Sequence, residues 1–303
     1  MKLHYRLPLF FLLTLCASVP ASADTASEAA KSNKETVLAF AEKPARRIVS
    51  LSPAATEILC AVGAFSQIAA CTDFCDYPRN VKTLPTVGGF DGKTLSIEKI
   101  LSFKPDLVYA TRGMHDYLVG TLRSYGIRVY VSDASHVSDV LAEIGDMGTV
   151  TGHTAEGLAV QKHIMSVLDA VRVKVQGKKT PSVYWEIWNA PYMSAGKESF
   201  MNDLVSQAGG TNIFGDMEQA YPLVSEETIV TRNPDVIIIP DMEKQTLQSI
   251  QQRSGWNTIH AVQNGRVVFI NADVTARPGP RIADAVLMLA KAIHSDLSFD
   301  GIR

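Results

Sequence analysis

Two Ser-x-Glu triplets stand out among the residues of this sequence that could do chemistry. Ser96-Ile97-Glu98 and Ser225-Glu226-Glu227 each lead, at equal spacing, to a Pro-Asp pair: Pro105-Asp106 and Pro234-Asp235. A serine two positions before a carboxylate predicts a helix start. The hydroxyl caps an amide, and the acid meets the positive end of the macrodipole, worth about 0.3–1 kcal/mol. Capping explains either glutamate alone; a matched pair suggests a shared task. Cys60, Cys71 and Cys75 are a second group. Their spacing allows a disulfide between Cys71 and Cys75 or between Cys60 and Cys71, plain thiols, or a soft metal ligand at Cys75.

Catalytic patterns are weak. Gly196-Lys197-Glu198-Ser199 has the ending of a phosphate loop, but Pro191 holds the place of the first glycine and Glu198 that of the hydroxyl, so a turn is expected. His115, His136, His153, His163, His260 and His294 show no His-x-His or i, i+4 spacing, and Gly-x-Ser-x-Gly is missing. No enzyme, no metal site and no resident cofactor are expected. An α/β enzyme acting on a bound ligand is kept as a rival, and a zinc or manganese carrier is disfavoured for want of clustered ligands.

These residues need a scaffold, and short β-branched runs supply it. Arg47–Leu51, Gln67–Ala70, Asp106–Ala110 and Arg128–Val131 read as buried strands separated by helix-length connections, a parallel α/β pattern. Residues 152–179 carry a 3.6-residue apolar period with no strand signal, predicting one long helix ended by Gly177 and Pro181. Strand runs resume at Ser182–Trp185, Val236–Ile239 and Arg266–Ile270, and a last helix is predicted from Pro280. The expected layout is an N-terminal lobe over 44–151, a linking helix over 152–179 and a C-terminal lobe over 180–303. Gly126–Val131 answers Gly265–Ile270, and Tyr77-Pro78 answers Tyr221-Pro222, so the lobes look like duplicates with a cleft between them.

Open α/β sheets bind ligands beyond the carboxyl ends of their strands. That rule selects Pro53, Ala54, Ala55, Phe74, Cys75, Thr111 and Arg112 in the first lobe. In the second it selects residues 185–192, with Trp188 and Tyr192, and residues 273–277, with Asp273 and Arg277.

Composition fits an ordinary globular protein. Of 303 residues, 46% are hydrophobic and 20% charged, and the formal charge is −2, against a nucleic-acid partner. Lys2 and Arg6 precede the apolar run Leu7–Leu15, and Ala21-Ser22-Ala23 offers a cleavage site, so residues 1–23 read as a signal peptide. Leu15 before Cys16 fits a lipoprotein signal poorly. Residues 24–43, polar and alanine-rich, are expected to form a flexible leader.

With these motifs in hand, the chain resembles the helix-linked periplasmic substrate-binding proteins of ABC importers for iron complexes, haem and cobalamin. The duplicated Ser-x-Glu…Pro-Asp pattern, the long helix and the export signal carry the likeness from Ala45 to His294. Ser52–Glu57, Thr72–Pro78, Ser194–Ser199 and Asp273–Arg281 resemble the motifs of its cobalamin-binding branch. The resemblance implies two Rossmann-like lobes, a cobalamin or related corrinoid as the transported ligand, a permease dimer as partner and a monomeric binding protein in the periplasm. A haem or ferric-siderophore carrier is the alternative within the same family. It implies that Glu98 and Glu227 dock onto permease arginines, for which a carboxylate is a natural bidentate partner. It further implies ring contacts from Phe74 and Phe90 and a polar pair in Asp273 and Arg277, with Thr111 where that branch has an aromatic residue.

Overall fold

The alternating runs of the sequence become two sheets. A computed structural model describes residues 23–89, 94–241 and 245–302. Residues 1–22 of the expected signal peptide and Phe90 lie outside the described residues.

In chain order the first elements are α1 (Ala23–Ala41), β1 (Ile48–Ser50), α2 (Pro53–Ala61), β2 (Ile68–Ala70), α3 (Ile97–Ser102) and β3 (Leu107–Thr111). Next come α4 (Asp116–Ser124), β4 (Arg128–Ser132), α5 (Val137–Thr151) and α6 (Thr154–Val175). The chain continues through β5 (Ser182–Asn189), β6 (Tyr192–Ser194), α7 (Phe200–Gln207), β7 (Thr211–Asn212), α8 (Glu226–Arg232) and β8 (Val236–Pro240). It closes with α9 (Leu247–Gln251), α10 (His260–Gln263), β9 (Val267–Ile270), α11 (Ala272–Thr275) and α12 (Ile282–Ile293).

The chain divides into two compact units. One runs to Asp133 and takes in Asp139–Gln161; the other holds Ala134–Ser138 and everything from Lys162 onward. The division falls inside α6, the long helix that the apolar period of residues 152–179 predicted.

In the first unit all four strands are parallel, in the order β2-β1-β3-β4. Val49, Leu51, Val108, Ala110, Val129 and Val131 are buried against Leu118 and Leu122 of α4 and Ile100 of α3. Burying each Val or Leu contributes roughly 1.5–3 kcal/mol. Runs this apolar leave no face for water, and helices must cover the sheet.

The second unit repeats the plan. β7 and β8 flank β5, and β9 follows β8, all parallel, which reproduces the first unit's order. Its sheet departs from the expected all-parallel form in one strand. β6 turns back antiparallel onto the carboxyl half of β5, because Ala190-Pro191 forms a tight connection too short for a helix. Val236–Ile239 are at most 1% exposed, and Ile237 and Ile239 pack with Tyr184, Phe214, Ile250 and Trp256.

The duplicated Pro-Asp pairs do the same work in both units. Asp106 carboxylate oxygens accept from the amides of Arg46 and Arg47 at 2.7 and 3.0 Å, and an Asp235 oxygen accepts from the Ser182 amide at 3.0 Å. Each aspartate thus satisfies the backbone leading into its unit's central strand.

The expected flexible leader is instead helix α1. Its polar composition concealed three points of attachment: Asn33 Nδ2 donates to Val131 O at 2.8 Å, Asn33 Oδ1 accepts from Val131 N at 2.9 Å, and Phe40 is buried beneath the Arg128 guanidinium. The Asn33 amide completes backbone bonds that the outer strand β4 would otherwise leave open.

Candidate functional site

The candidates of the first unit gather because three adjacent strands end side by side. Pro53, Ala54 and Ala55 begin α2 directly after β1, where the Ser52 hydroxyl caps the helix by accepting from the Ala55 amide at 3.2 Å. Proline at the first helical position has no amide to satisfy and a preset φ, so the turn from strand to helix is tight. Phe74 and Cys75 follow β2. Gly89 lies so close that a Cβ there would come within 3.2 Å of the Phe74 ring. Cys75 is buried, with Thr56 Oγ1 3.1 Å and Thr72 Oγ1 3.3 Å from its sulfur. The Thr56 contact ties the Cys75 loop to the start of α2.

Thr111 ends β3, and Arg112 donates from Nε to an Asp133 carboxylate oxygen at 2.5 Å. His115, which sequence reasoning did not assign, fixes this turn. It is fully buried, and its Nδ1 accepts from the Thr111 amide at 3.0 Å, so the ring proton sits on Nε2. Burial pushes its pKa down to about 4, which keeps the ring neutral. Beneath the same turn Glu143 accepts from the Tyr109 hydroxyl at 2.8 Å and the Asp133 amide at 3.2 Å.

In the second unit the candidates fall into two groups with β8 between their strands. Trp188 and Tyr192 sit on the β5–β6 hairpin, where Trp188 Nε1 donates to Ala190 O at 2.9 Å. Tyr192 stacks on Trp256, with ring centroids 5.8 Å apart, and its hydroxyl donates to Glu226 at 3.2 Å. Asp273 opens α11 after β9, and Arg277 Nη2 donates to its carboxylate at 2.7 Å; Arg281 Nη2 donates to the Asp273 carbonyl at 2.9 Å. Arg277 is 7% exposed, whereas the Asp273 side chain is half-exposed. The arginine is thus held from below and the carboxylate remains accessible.

A network behind Tyr192 was also not foreseen. Arg253 donates from both terminal nitrogens to buried Glu186 and from Nη2 to Gln245 at 2.6 Å, and its guanidinium lies 4.4 Å from the Trp256 ring centroid and 5.4 Å from that of Tyr192. A glutamate inside the apolar run of β5 was the available signal, because a carboxylate there requires a partner.

Glu98 and Glu227 occupy equivalent places. Ser96 caps α3 by accepting from Lys99 N, Ser225 caps α8 by accepting from Thr228 N, and both glutamates are exposed in the first turn. Glu98 also accepts from the Ser96 hydroxyl at 2.6 Å, which holds its carboxyl below the usual range. Glu226, adjacent to Glu227, is instead engaged by Tyr192.

Gly196–Ser199 is a turn, as its sequence suggests. Gly196 and Lys197 donate to the carbonyls of Ala220 and Met217, a Cβ on Gly196 would lie 1.9 Å from Gln219 O, and Ser199 caps α7. Cys60, Cys71 and Cys75 are all free thiols. Among the described residues no group of three His, Cys, Asp or Glu side chains could hold a metal ion, and no helix is long and apolar enough to cross a membrane.

This arrangement has known counterparts. Residues 48–274 match the periplasmic binding protein family. An ABC transporter substrate-binding lipoprotein of Bacillus subtilis is 31% identical over 263 residues, 84% of this chain and 82% of its own length. The crystal structure of the periplasmic vitamin B12 binding protein of Vibrio cholerae aligns with TM-score 0.73 and 29% identity, over 83% of this chain and 98% of that one. A periplasmic haem-binding protein from Roseiflexus aligns with TM-score 0.73 over 82% of this chain and 98% of its own, but at 22% identity that likeness is one of fold. Two units of repeated parallel order, a long helix and this match over most of the chain make the protein a member of the periplasmic binding protein family.

Proposed function

We propose that this chain is an exported substrate-binding protein that captures cobalamin or a related corrinoid and delivers it to an ABC importer. The observation that carries the reading is the likeness to the Vibrio cholerae vitamin B12 binding protein along nearly its whole length. The side chains at the strand ends of each unit suit such a ligand. Phe74, Trp188 and Tyr192 offer apolar surface to a large ring, and Asp273 with Arg277 offers groups for its peripheral amides. The signal peptide of residues 1–23 belongs to the same proposal, as do Phe90 in the ligand contact and a monomeric carrier in the periplasm.

Titration of the purified protein with cyanocobalamin and, separately, with haem tests the ligand. One-to-one corrinoid binding is expected, and Asp273→Ala should weaken it by about 1–3 kcal/mol, roughly five- to 150-fold, as should Arg277→Ala. Arg46→Ala, at the strand entrance, should leave it unchanged. Haem binding without corrinoid binding would overturn the ligand and leave the family standing.

Glu98 and Glu227 are proposed as the permease-docking pair. Replacing both with glutamine should preserve ligand affinity, since neither side chain is among the proposed ligand contacts. Uptake into vesicles bearing the permease should fall at least about tenfold, as two charge-assisted contacts are lost from one docked state. Normal uptake would reduce both glutamates to helix-end residues.

A further inference from the structure

We infer that Cys71 and Cys75 are a redox-active dithiol which a peroxide converts to an intramolecular disulfide, with Cys75 as the attacking sulfur and Cys71 as the resolving one. The pair is built into the backbone. Cys71 bridges to Thr86 just beyond β2: its amide donates to Pro85 O at 3.0 Å, and its carbonyl accepts from Val87 N at 2.9 Å. Cys75 returns through a turn closed by its own amide on Thr72 O at 3.1 Å, and the two side chains share one small apolar cluster with Val81.

The Thr56 and Thr72 hydroxyl oxygens lie 3.1 and 3.3 Å from the Cys75 sulfur. A hydroxyl that turns to donate to the sulfur stabilises a thiolate there, and the thiolate is the nucleophile. The Cys71 hydrogen bond, reinforced by those from the threonines, brings the Cys75 thiol down to about 7 against the opposing effect of burial. Cys71, as the donor, is raised. Burial pushes the neighbouring Cys60 thiol up to about 12 as well. Cys75 is 6% exposed and Cys71 1%.

In the first step the Cys75 thiolate attacks one peroxide oxygen, the O–O bond breaks, and hydroxide leaves to take up a proton as water. Cys75 is then a sulfenic acid. Cys71 attacks that sulfur, the S–OH bond breaks, and hydroxide departs with the Cys71 proton as a second water. Two thiols lose two electrons and two protons; hydrogen peroxide is reduced to two waters.

The test treats the purified protein with hydrogen peroxide, alkylates the remaining thiols and cleaves before aspartates. Cleavage before Asp73 separates Cys71 from Cys75 while leaving Cys60 with Cys71. The peptide ending at Thr72 should be joined to Asp73-Phe74-Cys75, lighter by two hydrogens, with Cys60 alkylated. Dimedone should trap a sulfenic acid at Cys75 in Cys71→Ser, and Cys60→Ser should keep the link. The rate should rise about tenfold from pH 6 to pH 8, as Cys75 ionises. A Cys60–Cys71 bond, alkylation of both Cys71 and Cys75 after peroxide, or dimedone on Cys71 in the unsubstituted protein would overturn the assignment.

Discussion

Glu143 of helix α5 in the first unit and Glu186 of strand β5 in the second are both buried, and their surroundings compensate for lost water differently. Glu186, 1% exposed, is gripped by the Arg253 guanidinium, which is itself stacked against aromatic rings. Glu143, 6% exposed, faces hydroxyls and an amide from Tyr109, Ser132 and Asp133, with the Asp146 carboxylate nearby. Burial pushes its pKa up to about 7 against those hydrogen bonds. One carboxyl is held by a counter-ion, the other by retaining its proton. Two units that repeat one parallel strand order therefore hold their buried carboxyls by unlike means.

The largest expected effect breaks the pair in the second unit. Arg253→Ala strands a buried carboxylate and should cost about 3–5 kcal/mol. Trp185, Trp188 and Trp256 are the three tryptophans of the chain and all lie in that unit, so denaturant unfolding followed by their fluorescence reads the loss directly. A change below about 1 kcal/mol would mean that Glu186 is satisfied without its arginine.

The next effect is a slope with pH in the first unit. Glu143 has a folded pKa above its ordinary 4.5. Between pH 4.5 and 7 the unfolded chain releases this proton while the native state keeps it, so the contribution to stability is full below pH 4.5 and falls as pH rises through 7. The order of magnitude is about 3 kcal/mol. Hydrogen exchange at the β3 and β4 amides should show that decline, and Glu143→Gln, which cannot ionise, should remove it. An unchanged slope in the variant would assign the decline to another group.

The smallest effects compare the two caps. Ser96→Ala and Ser225→Ala should each cost about 1 kcal/mol in thermal unfolding. The first should also raise the Glu98 carboxyl toward its ordinary value, because the Ser96 hydroxyl is what lowers it. Nuclear magnetic resonance titration of Glu98 would detect this; no movement would mean that the helix terminus alone stabilises the carboxylate.

Much of the frame was legible in the sequence because it depends on periodicity. Val236–Ile239 could only be a buried strand, the apolar period of residues 152–179 could only be a long helix, and Ser96 and Ser225 announced their caps. Residues whose role lies in distant partners were not legible. Arg253 stands in a polar stretch that says nothing of Glu186, 67 positions away in sequence. His115 offered no ligand spacing because it serves a backbone amide. The polar stretch containing Asn33 read as a leader because one amide side chain on an outer strand leaves no pattern. The candidate site was half visible: the strand-end rule selected its positions, while the groups that hold them had to be seen in three dimensions.

The Asn33 contact bears on solubility as well as on fold. An outer strand with unpaired amides and carbonyls is a template for another chain, and proteins commonly protect it with a helix, a charge or a bulge. Here α1 performs that service, with Asn33 occupying both backbone groups of Val131. A chain shortened to begin at Pro44 would keep every strand of the first sheet and lose the cover of its outermost one. Its liability would then be intermolecular, expressed as self-association through β4 that grows with protein concentration.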